Sequence, residues 1–206
     1  MVLRKISSVE EGNLLDTKIL KIDTSMPGWE SQLSPAAQVL KSGGLVAFPT
    51  ETVYGLGANA LDEEAVKRIY VAKGRPSDNP LIVHIADVEA VKTLTDRIPK
   101  SVPLLMDAFW PGPLTLVMPK SEKVPSVITA GLDTVGIRMP AHPIALALIK
   151  QAGIPIAAPS ANSSGKPSPT MAKHVIEDLS GKVDMIIDGG NTDVGVESTV
   201  LDTTSE

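Results

Sequence analysis

The chain has 206 residues, the size of one generous domain, and its 43% hydrophobic and 21% charged residues exclude a disordered, collagenous or coiled-coil protein. A net charge of -5 and an aromatic content of 3% disfavour a protein that grips phosphate backbones over its whole surface or stacks single-stranded bases. The sequence contains no cysteine, which excludes disulfides, thiolate metal sites and cysteine nucleophiles and fits a reducing compartment.

Residues 1–30 are predicted to form an extended lead-in that ends in a turn at Ser25-Met26-Pro27-Gly28. The segment from Met1 to Lys21 has no apolar run long enough for a signal peptide or a membrane anchor, so a cytoplasmic protein without membrane contact is expected. A single domain over residues 1–206 is predicted, and because the last residues closely follow a predicted strand, a further C-terminal domain could belong to a longer parent protein.

The first predicted helix runs from Pro35 to Lys41, with Ser34 as its N-cap. A buried strand over residues 45–48 follows and runs into a loop over residues 49–57. The next helix is capped by Asp62 and ends near Lys73, where a Gly-Arg-Pro turn begins.

Strands and helices alternate through the remainder of the chain. The predicted strands cover residues 81–85, 114–118, 135–139, 154–158, 185–188 and 198–201, and the predicted helices cover residues 87–94, 101–110, 144–152 and 170–179, the last capped by Thr170. This alternation predicts an α/β fold. No helix is predicted between the strands at 114 and 135 or between those at 185 and 198, so the sheet is expected to be mixed.

Several common catalytic motifs are missing from the sequence. Gly165-Lys166 is followed by Pro167, so there is no phosphate-binding loop of the Walker type, and the Gly55-x-Gly57 pair lacks a third glycine. The three histidines do not have the spacing of metal ligands, so no protein metal site is expected.

Four basic side chains are candidates for an anion site. Lys73 and Arg75 flank a glycine and can aim at one anion, or they can simply offset a helix dipole. His84 lies in an apolar strand, where a histidine is more often a satisfied core residue than a catalyst. Arg138, in a strand of Val, Ile and Met, needs either a partner carboxylate or an incoming anion.

The loop at residues 159–169 follows a predicted strand, the position at which open α/β sheets bind ligands. Its small residues allow close approach to the backbone, and its hydroxyls and N–H groups suit phosphate oxygens. A flexible surface loop has the same composition, but three prolines favour a preorganised site for an anionic small molecule.

Seven motifs extend this interpretation. In chain order they closely resemble those of the YrdC-like family, the threonylcarbamoyl-AMP synthases: Pro49–Gly57 (PTETVYGLG), Lys73–Pro76 (KGRP), Asn79–Ile85 (NPLIVHI), Trp110–Leu116 (WPGPLTL), Val135–Pro140 (VGIRMP), Pro159–Asn162 (PSAN) and Ser198–Val200 (STV). The resemblance implies a twisted mixed sheet flanked by helices around a cationic cavity. It also implies a nucleotidyltransferase that joins L-threonine, bicarbonate and ATP into L-threonylcarbamoyl-AMP and releases pyrophosphate, for threonylcarbamoyladenosine modification of tRNA.

The resemblance further implies roles for individual residues. The catalytic set is Lys73, Arg75, Ser160 and Asn162. The ATP-binding set is Lys73, Arg75, Asn79, Thr134, Ser160, Asn162 and Ser168. The L-threonine-binding set is Thr52, His84, Arg138, the backbone at Ala158, and Ser198. Mg²⁺ is expected to arrive with ATP. The product is expected to pass to a threonylcarbamoyl transferase complex, with tRNA contacted indirectly.

Two alternatives remain open at this point. A cationic concave surface on such a domain could bind tRNA or double-stranded RNA by shape, although the net charge of -5 counts against it. The same fold could instead handle carbamoyl phosphate, as in hydrogenase-maturation proteins, and a requirement for threonine distinguishes that reaction from the synthase.

Overall fold

The computed structural model describes residues 15–205, so residues 1–14 of the predicted lead-in, and Glu206, lie outside the described residues. Within that range, nine strands form one sheet in the order β1-β8-β2-β3-β7-β4-β6-β5-β9. The strands are β1 (Lys18–Lys21), β2 (Val46–Pro49), β3 (Tyr54–Asn59), β4 (Ile82–His84), β5 (Leu114–Pro119), β6 (Thr134–Arg138), β7 (Ile156–Ala157), β8 (Met185–Asp188) and β9 (Thr199–Asp202).

The sheet is mixed, as the sequence predicted. Strand β8 is parallel to both β1 and β2, β4 is parallel to β6, and β5 is parallel to β9, whereas the β2–β3, β3–β7, β4–β7 and β5–β6 pairs are antiparallel. Strands β8 and β9, between which no helix is predicted, do not pair with each other and lie towards opposite edges of the sheet.

The α-helices are α1 (Ser34–Lys41), α2 (Glu63–Lys73), α3 (Val91–Leu94), α4 (Val102–Phe109), α5 (Ser126–Thr129), α6 (Pro143–Ala152) and α7 (Ala172–Leu179), and short 3-10 helices precede α1 and α3. They bury two hydrophobic clusters. One contains α1 and α6 side chains such as Leu40 and Leu148, and the other contains α2 and α7 side chains such as Ile69 and Val175. The sequence forms these helices because their apolar residues recur at helical spacing.

Helix capping follows the prediction in one place and departs from it in two. The Asp62 carboxylate accepts hydrogen bonds from the N–H groups of Glu64 and Ala65, as predicted. Ser34 is not an N-cap, because a 3-10 helix leads directly into α1 and Ser34 is its first residue. Thr170 is not one either, because Met171 occupies that position before α7.

The segment predicted as a loop after Phe48 forms strand β3 from Tyr54 onwards. Its glycines obscured the strand, yet Gly57 is required there by packing. A Cβ at Gly57 would lie 2.7 Å from the Phe48 ring and 2.8 Å from the Ile156 side chain. Strand β1 and helix α5 were also missed, since β1 is a mostly exposed edge strand and α5 has only four residues.

Leucines at buried and exposed positions are predicted to differ in how much their replacement by alanine lowers the free energy of unfolding. Leu56→Ala, at a fully buried position of β3, should lower the free energy of unfolding by about 2–5 kcal/mol, because it leaves a cavity. Leu104→Ala, at a position of α4 that is 76% exposed, should change it by less than about 0.5 kcal/mol. Urea unfolding of both variants measures the difference, and equal costs would contradict this description of the core.

Candidate active site

The turn between β2 and β3 carries a chain of hydrogen-bonded hydroxyls. The Thr50 hydroxyl donates to the Val53 carbonyl at 2.6 Å, so the Thr52 hydroxyl donates to Thr50 over their 2.9 Å separation. Arg138 in turn donates from Nη1 to the Thr52 hydroxyl at 3.2 Å. This chain fixes the rotamer of Thr52, one of the residues predicted to bind threonine.

Arg138 is buried at the end of β6 and its guanidinium is held from three sides. Its Nη2 donates to the Glu51 carboxylate at 2.5 Å, its Nη1 to Thr52, and its Nε to the Gly112 carbonyl at 3.2 Å. The side chains of Arg138 and Glu51 are 4% and 10% exposed. Of the two alternatives open for Arg138, the structure shows the partner carboxylate, and two of its five N–H groups are left for another acceptor. Sequence reasoning missed Glu51, although it stands beside Thr52 in the PTETVYGLG motif.

His84 lies next to Arg138, because β4 and β6 are parallel with these two residues in register. Burial, and next the positive charge of Arg138, lower the pKa of His84 to about 3. The imidazole is therefore neutral at physiological pH, and its Nδ1 is buried without a hydrogen-bond partner. His84 can exchange a hydrogen bond with a ligand but adds no charge to the site.

Lys73 ends α2 and is 3% exposed. Its Nζ donates to the Ser160 carbonyl, to the Asn162 carbonyl at 2.7 Å and to the Asn162 side-chain oxygen at 3.3 Å. These acceptors take all three of its protons. Burial, and next the charge of Arg75, lower the pKa of Lys73 to about 8. In this arrangement Lys73 holds the loop and contributes positive charge without a free N–H.

The loop at residues 159–169 is held in place by side-chain hydrogen bonds and an ion pair. Asn162 donates from its side chain to the carbonyls of Ser163 and Lys166 at 3.0 and 2.7 Å. Asp178 of α7 accepts from the Ser163 N–H at 3.1 Å and pairs with the Lys166 ammonium at 2.5 Å. The middle of this polar loop is therefore tied to α7, in agreement with the preorganised loop that its prolines suggested.

A cleft of about 170 Å³ lies where this loop, the β2–β3 turn and the start of β4 converge. Five of its lining residues are among those predicted to bind ATP or threonine: Thr52, Arg75, Ala158, Ser160 and Ser198. Ser198 is oriented by a 2.8 Å hydrogen bond to Thr115 of β5. Glu197 also lines the cleft, and neither Glu197 nor Thr115 was identified from the sequence.

Five predicted ATP-binding residues do not line this cleft: Lys73, Asn79, Thr134, Asn162 and Ser168. Of the predicted threonine-binding residues, His84 and Arg138 do not line it either, although Arg138 contacts the lining residue Thr52. Asn79 is exposed, and Thr134 begins β6 opposite Pro119. Ser168 lies beside the cleft, since its hydroxyl donates to the Glu197 carboxylate at 2.5 Å. Their predicted roles stay predictions.

The two cations that flank Gly74 have no directly paired carboxylate in the described part of the chain. Among residues 15–205, no carboxylate lies within ion-pair distance of Lys73 or Arg75. Within this range both cations, one of them buried, thus lack a direct ion pair. The charge of Asp178 acts on Lys73 only from beyond ion-pair distance, and that carboxylate is already paired with Lys166. Since buried charges are normally paired, this end of the cleft is suited to an anion.

The described residues show neither a metal-ion cluster nor a membrane-spanning helix. Between residues 15 and 205, no group of three or more His, Cys, Asp or Glu side chains is arranged to hold a metal ion. No helix in that part of the chain is long and apolar enough to cross a membrane.

The fold and the cleft define an α/β domain with a cationic, hydroxyl-lined ligand site, and comparison with known proteins identifies the family. Residues 38–206 match the Sua5/YciO/YrdC family model, described as "Telomere recombination". The chain therefore belongs to the Sua5/YciO/YrdC family.

Two curated relatives are named threonylcarbamoyl-AMP synthase. The one from Pyrococcus abyssi is 62% identical over 91% of this chain and 55% of its own length, and the one from Bacillus subtilis is 61% identical over 84% and 50%. The chain thus spans about half the length of these curated relatives.

Two solved structures share the fold. Pyrococcus abyssi Sua5 complexed with L-threonine superposes with a TM-score of 0.87, at 62% identity over 90% of this chain and 54% of that one. Escherichia coli YciO superposes with a TM-score of 0.81, at 25% identity over 92% of both chains.

The buried, partly desolvated Lys73 predicts a specific pH dependence of stability. Its pKa of about 8 in the folded protein is below the ordinary value of 10.5, so between these values the unfolded chain binds more protons. The free energy of unfolding of the wild type, relative to Lys73→Met, should therefore rise as pH increases from 8 to 10.5, by at most about 1.4 kcal/mol per pH unit. Urea unfolding of both proteins across this range measures the difference, and a flat or falling difference contradicts the assignment.

Proposed function

We propose that this chain synthesises L-threonylcarbamoyl-AMP from L-threonine, bicarbonate and ATP and releases pyrophosphate, which makes it a nucleotidyltransferase. The observation that carries the proposal is the unbalanced positive charge of Lys73 and Arg75 beside a cleft lined with hydroxyls. The names of the curated relatives and the L-threonine in the Pyrococcus abyssi structure support the same reaction.

ATP is proposed to bind at the end of the cleft that carries Arg75. Arg75 is half-buried and has no carboxylate partner among the described residues, so its guanidinium is suited to bidentate contact with phosphate oxygens. Lys73 acts from behind the loop through its charge, while Ser160 and Asn162 shape the backbone. The proposed ATP set is completed by Asn79, Thr134 and Ser168.

L-Threonine is proposed to bind at the opposite end of the cleft. The two remaining N–H groups of Arg138 suit its carboxylate. The hydroxyls of Thr52 and Ser198, and the unpartnered Nδ1 of His84, suit its polar groups. The Ala158 N–H already donates to the Ile82 carbonyl at 2.9 Å, so the Ala158 carbonyl is the backbone group left for the ligand.

The reaction needs no covalent protein nucleophile. The amine of threonine and bicarbonate give a carbamate and water, and a carbamate oxygen then attacks the α-phosphorus of ATP and expels pyrophosphate. The chain holds the two substrates in line, and the charges of Lys73 and Arg75 stabilise the negative charge that builds up on the phosphates.

Mg²⁺ is proposed to enter bound to the phosphates of ATP, where it would neutralise part of their charge. This fits the donor set, because the described residues offer no cluster of carboxylates or histidines as ligands. Glu197 is the acidic side chain that lines the cleft.

The product is proposed to pass to a threonylcarbamoyl transferase complex for modification of tRNA, which this chain contacts only indirectly. A cytoplasmic location belongs to the same proposal and fits a sequence of 206 residues without cysteine.

Pyrophosphate release tests the proposal. With Mg-ATP, release by this chain should require both L-threonine and bicarbonate, and omitting either should abolish it. Release that is independent of threonine but dependent on carbamoyl phosphate would favour the second reaction on this fold, and failure to bind both ATP and threonine by calorimetry would overturn the proposal.

Replacing Arg75 tests the phosphate end of the cleft. Arg75→Ala should lower kcat/KM for ATP by about 10²-fold or more, because it removes a preorganised charge from the transition state. Lys92→Ala, at an exposed lysine paired with Glu89 on the surface, serves as a control and should retain activity. Unchanged turnover in Arg75→Ala would exclude the proposed role.

A further inference from the structure

The two ends of the cleft differ in net charge. Near Arg75 the cations have no directly paired carboxylate among the described residues. Behind Thr52, which lines the other end of the cleft, the charge of Arg138 is cancelled by Glu51. The Glu51 carboxylate is not shared with other donors, since its Oε2 is buried without a hydrogen-bond partner. Arg138 therefore offers directed N–H groups in surroundings with no net charge.

The neighbouring ionisable groups do not change this balance. His84 is neutral, as shown above. His142 packs near Glu51, and its Nδ1 accepts a hydrogen bond from the Ile144 N–H at 3.2 Å, which requires an unprotonated nitrogen. Burial also lowers the pKa of His142. Asp193 is exposed, so solvent screens its charge.

We infer that Glu51 determines the substrate specificity of the amino-acid end of the cleft: it makes that end electrically neutral, so that it accepts a zwitterionic amino acid and rejects a carboxylate that lacks an ammonium group. The inference rests on the proposed function, because it concerns the pocket assigned to threonine. Glu51 is not assigned a contact with the substrate.

The physical reason is the cost of burying net charge. A zwitterion brings its own counter-charge, and its carboxylate can use the free N–H groups of Arg138 without adding net charge to the pocket. A simple anion loses its hydration in a pocket whose one cation is already neutralised, so nothing offsets that loss. Substrates are thereby sorted by charge: ATP goes to the unpaired cations, and the amino acid goes to the paired one.

The decisive comparison uses two ligands that differ only in the amino group. The dissociation constants of L-threonine and of 3-hydroxybutyrate are measured by calorimetry for the wild type and for Glu51→Gln, which keeps the shape and one acceptor for Arg138. Wild type should bind threonine at least about 10-fold more tightly. In Glu51→Gln the pocket gains a net positive charge, so 3-hydroxybutyrate should bind more tightly than it does to wild type, and the preference for threonine should fall at least about 10-fold.

Glu177→Gln, at an exposed position of α7, is the matched control and should keep the wild-type preference. Weakening of both ligands by the same factor in Glu51→Gln would mean that Glu51 only holds Arg138 in place, and it would overturn the inference, as would an unchanged preference. ATP binding and thermal melting report whether Glu51→Gln folds.

If Glu51→Gln does not fold, the two dissociation constants measured for the wild type still test the inference. Dissociation constants for threonine and 3-hydroxybutyrate within about 2-fold of each other would overturn the inference. A wild-type protein that binds ATP but no threonine would instead overturn the proposed function, and with it the pocket to which the inference applies.

Discussion

The buried ion pair between Glu51 and Arg138 is the contact on which the cleft depends. It joins the β2–β3 turn to the end of β6 across a region where neither charge could remain alone, because an unpaired buried charge costs several kcal/mol. The carbonyls of Glu51 and Thr52 also accept hydrogen bonds from Val194 and Gly195. One turn thus positions Arg138, Thr52 and the segment that leads to Ser198.

Lys73 is a second buried anchor, and it holds the loop at residues 159–169. Lys73 is buried against neutral carbonyls instead of a carboxylate, so it fixes the loop that carries Ser160 and Asn162 while its charge has no direct ion-pair partner among the described residues. The lowered pKa of Lys73 reflects the energetic cost of this arrangement. Active sites commonly retain such costs, because a preorganised charge does not have to reorganise when a charged ligand reacts.

These two anchors give the cleft its polarity. The paired Arg138 lies behind Thr52 at one end, Arg75 lines the other end with Lys73 behind the loop, and the lining hydroxyls of Thr52 and Ser198 are already oriented by hydrogen bonds. The arrangement suits a reaction between a zwitterion of no net charge and a highly charged nucleotide, in which each substrate binds at its own position. It requires positioning and charge stabilisation from the protein and no nucleophile of its own.

The sequence by itself determined the α/β class, the mixed sheet, most helix and strand positions, and the family, because hydrophobic periodicity, caps such as Asp62 and ordered motifs are local properties of the chain. It did not predict strand β3, where Gly57 is required by contact with Phe48 and Ile156, which lie on the neighbouring strands β2 and β7. It named Arg138 and Lys73 as candidates but could not choose their partners. Only the tertiary structure decided that Glu51 neutralises the first and that loop carbonyls hold the second, because those partners lie 87 residues or more away along the chain.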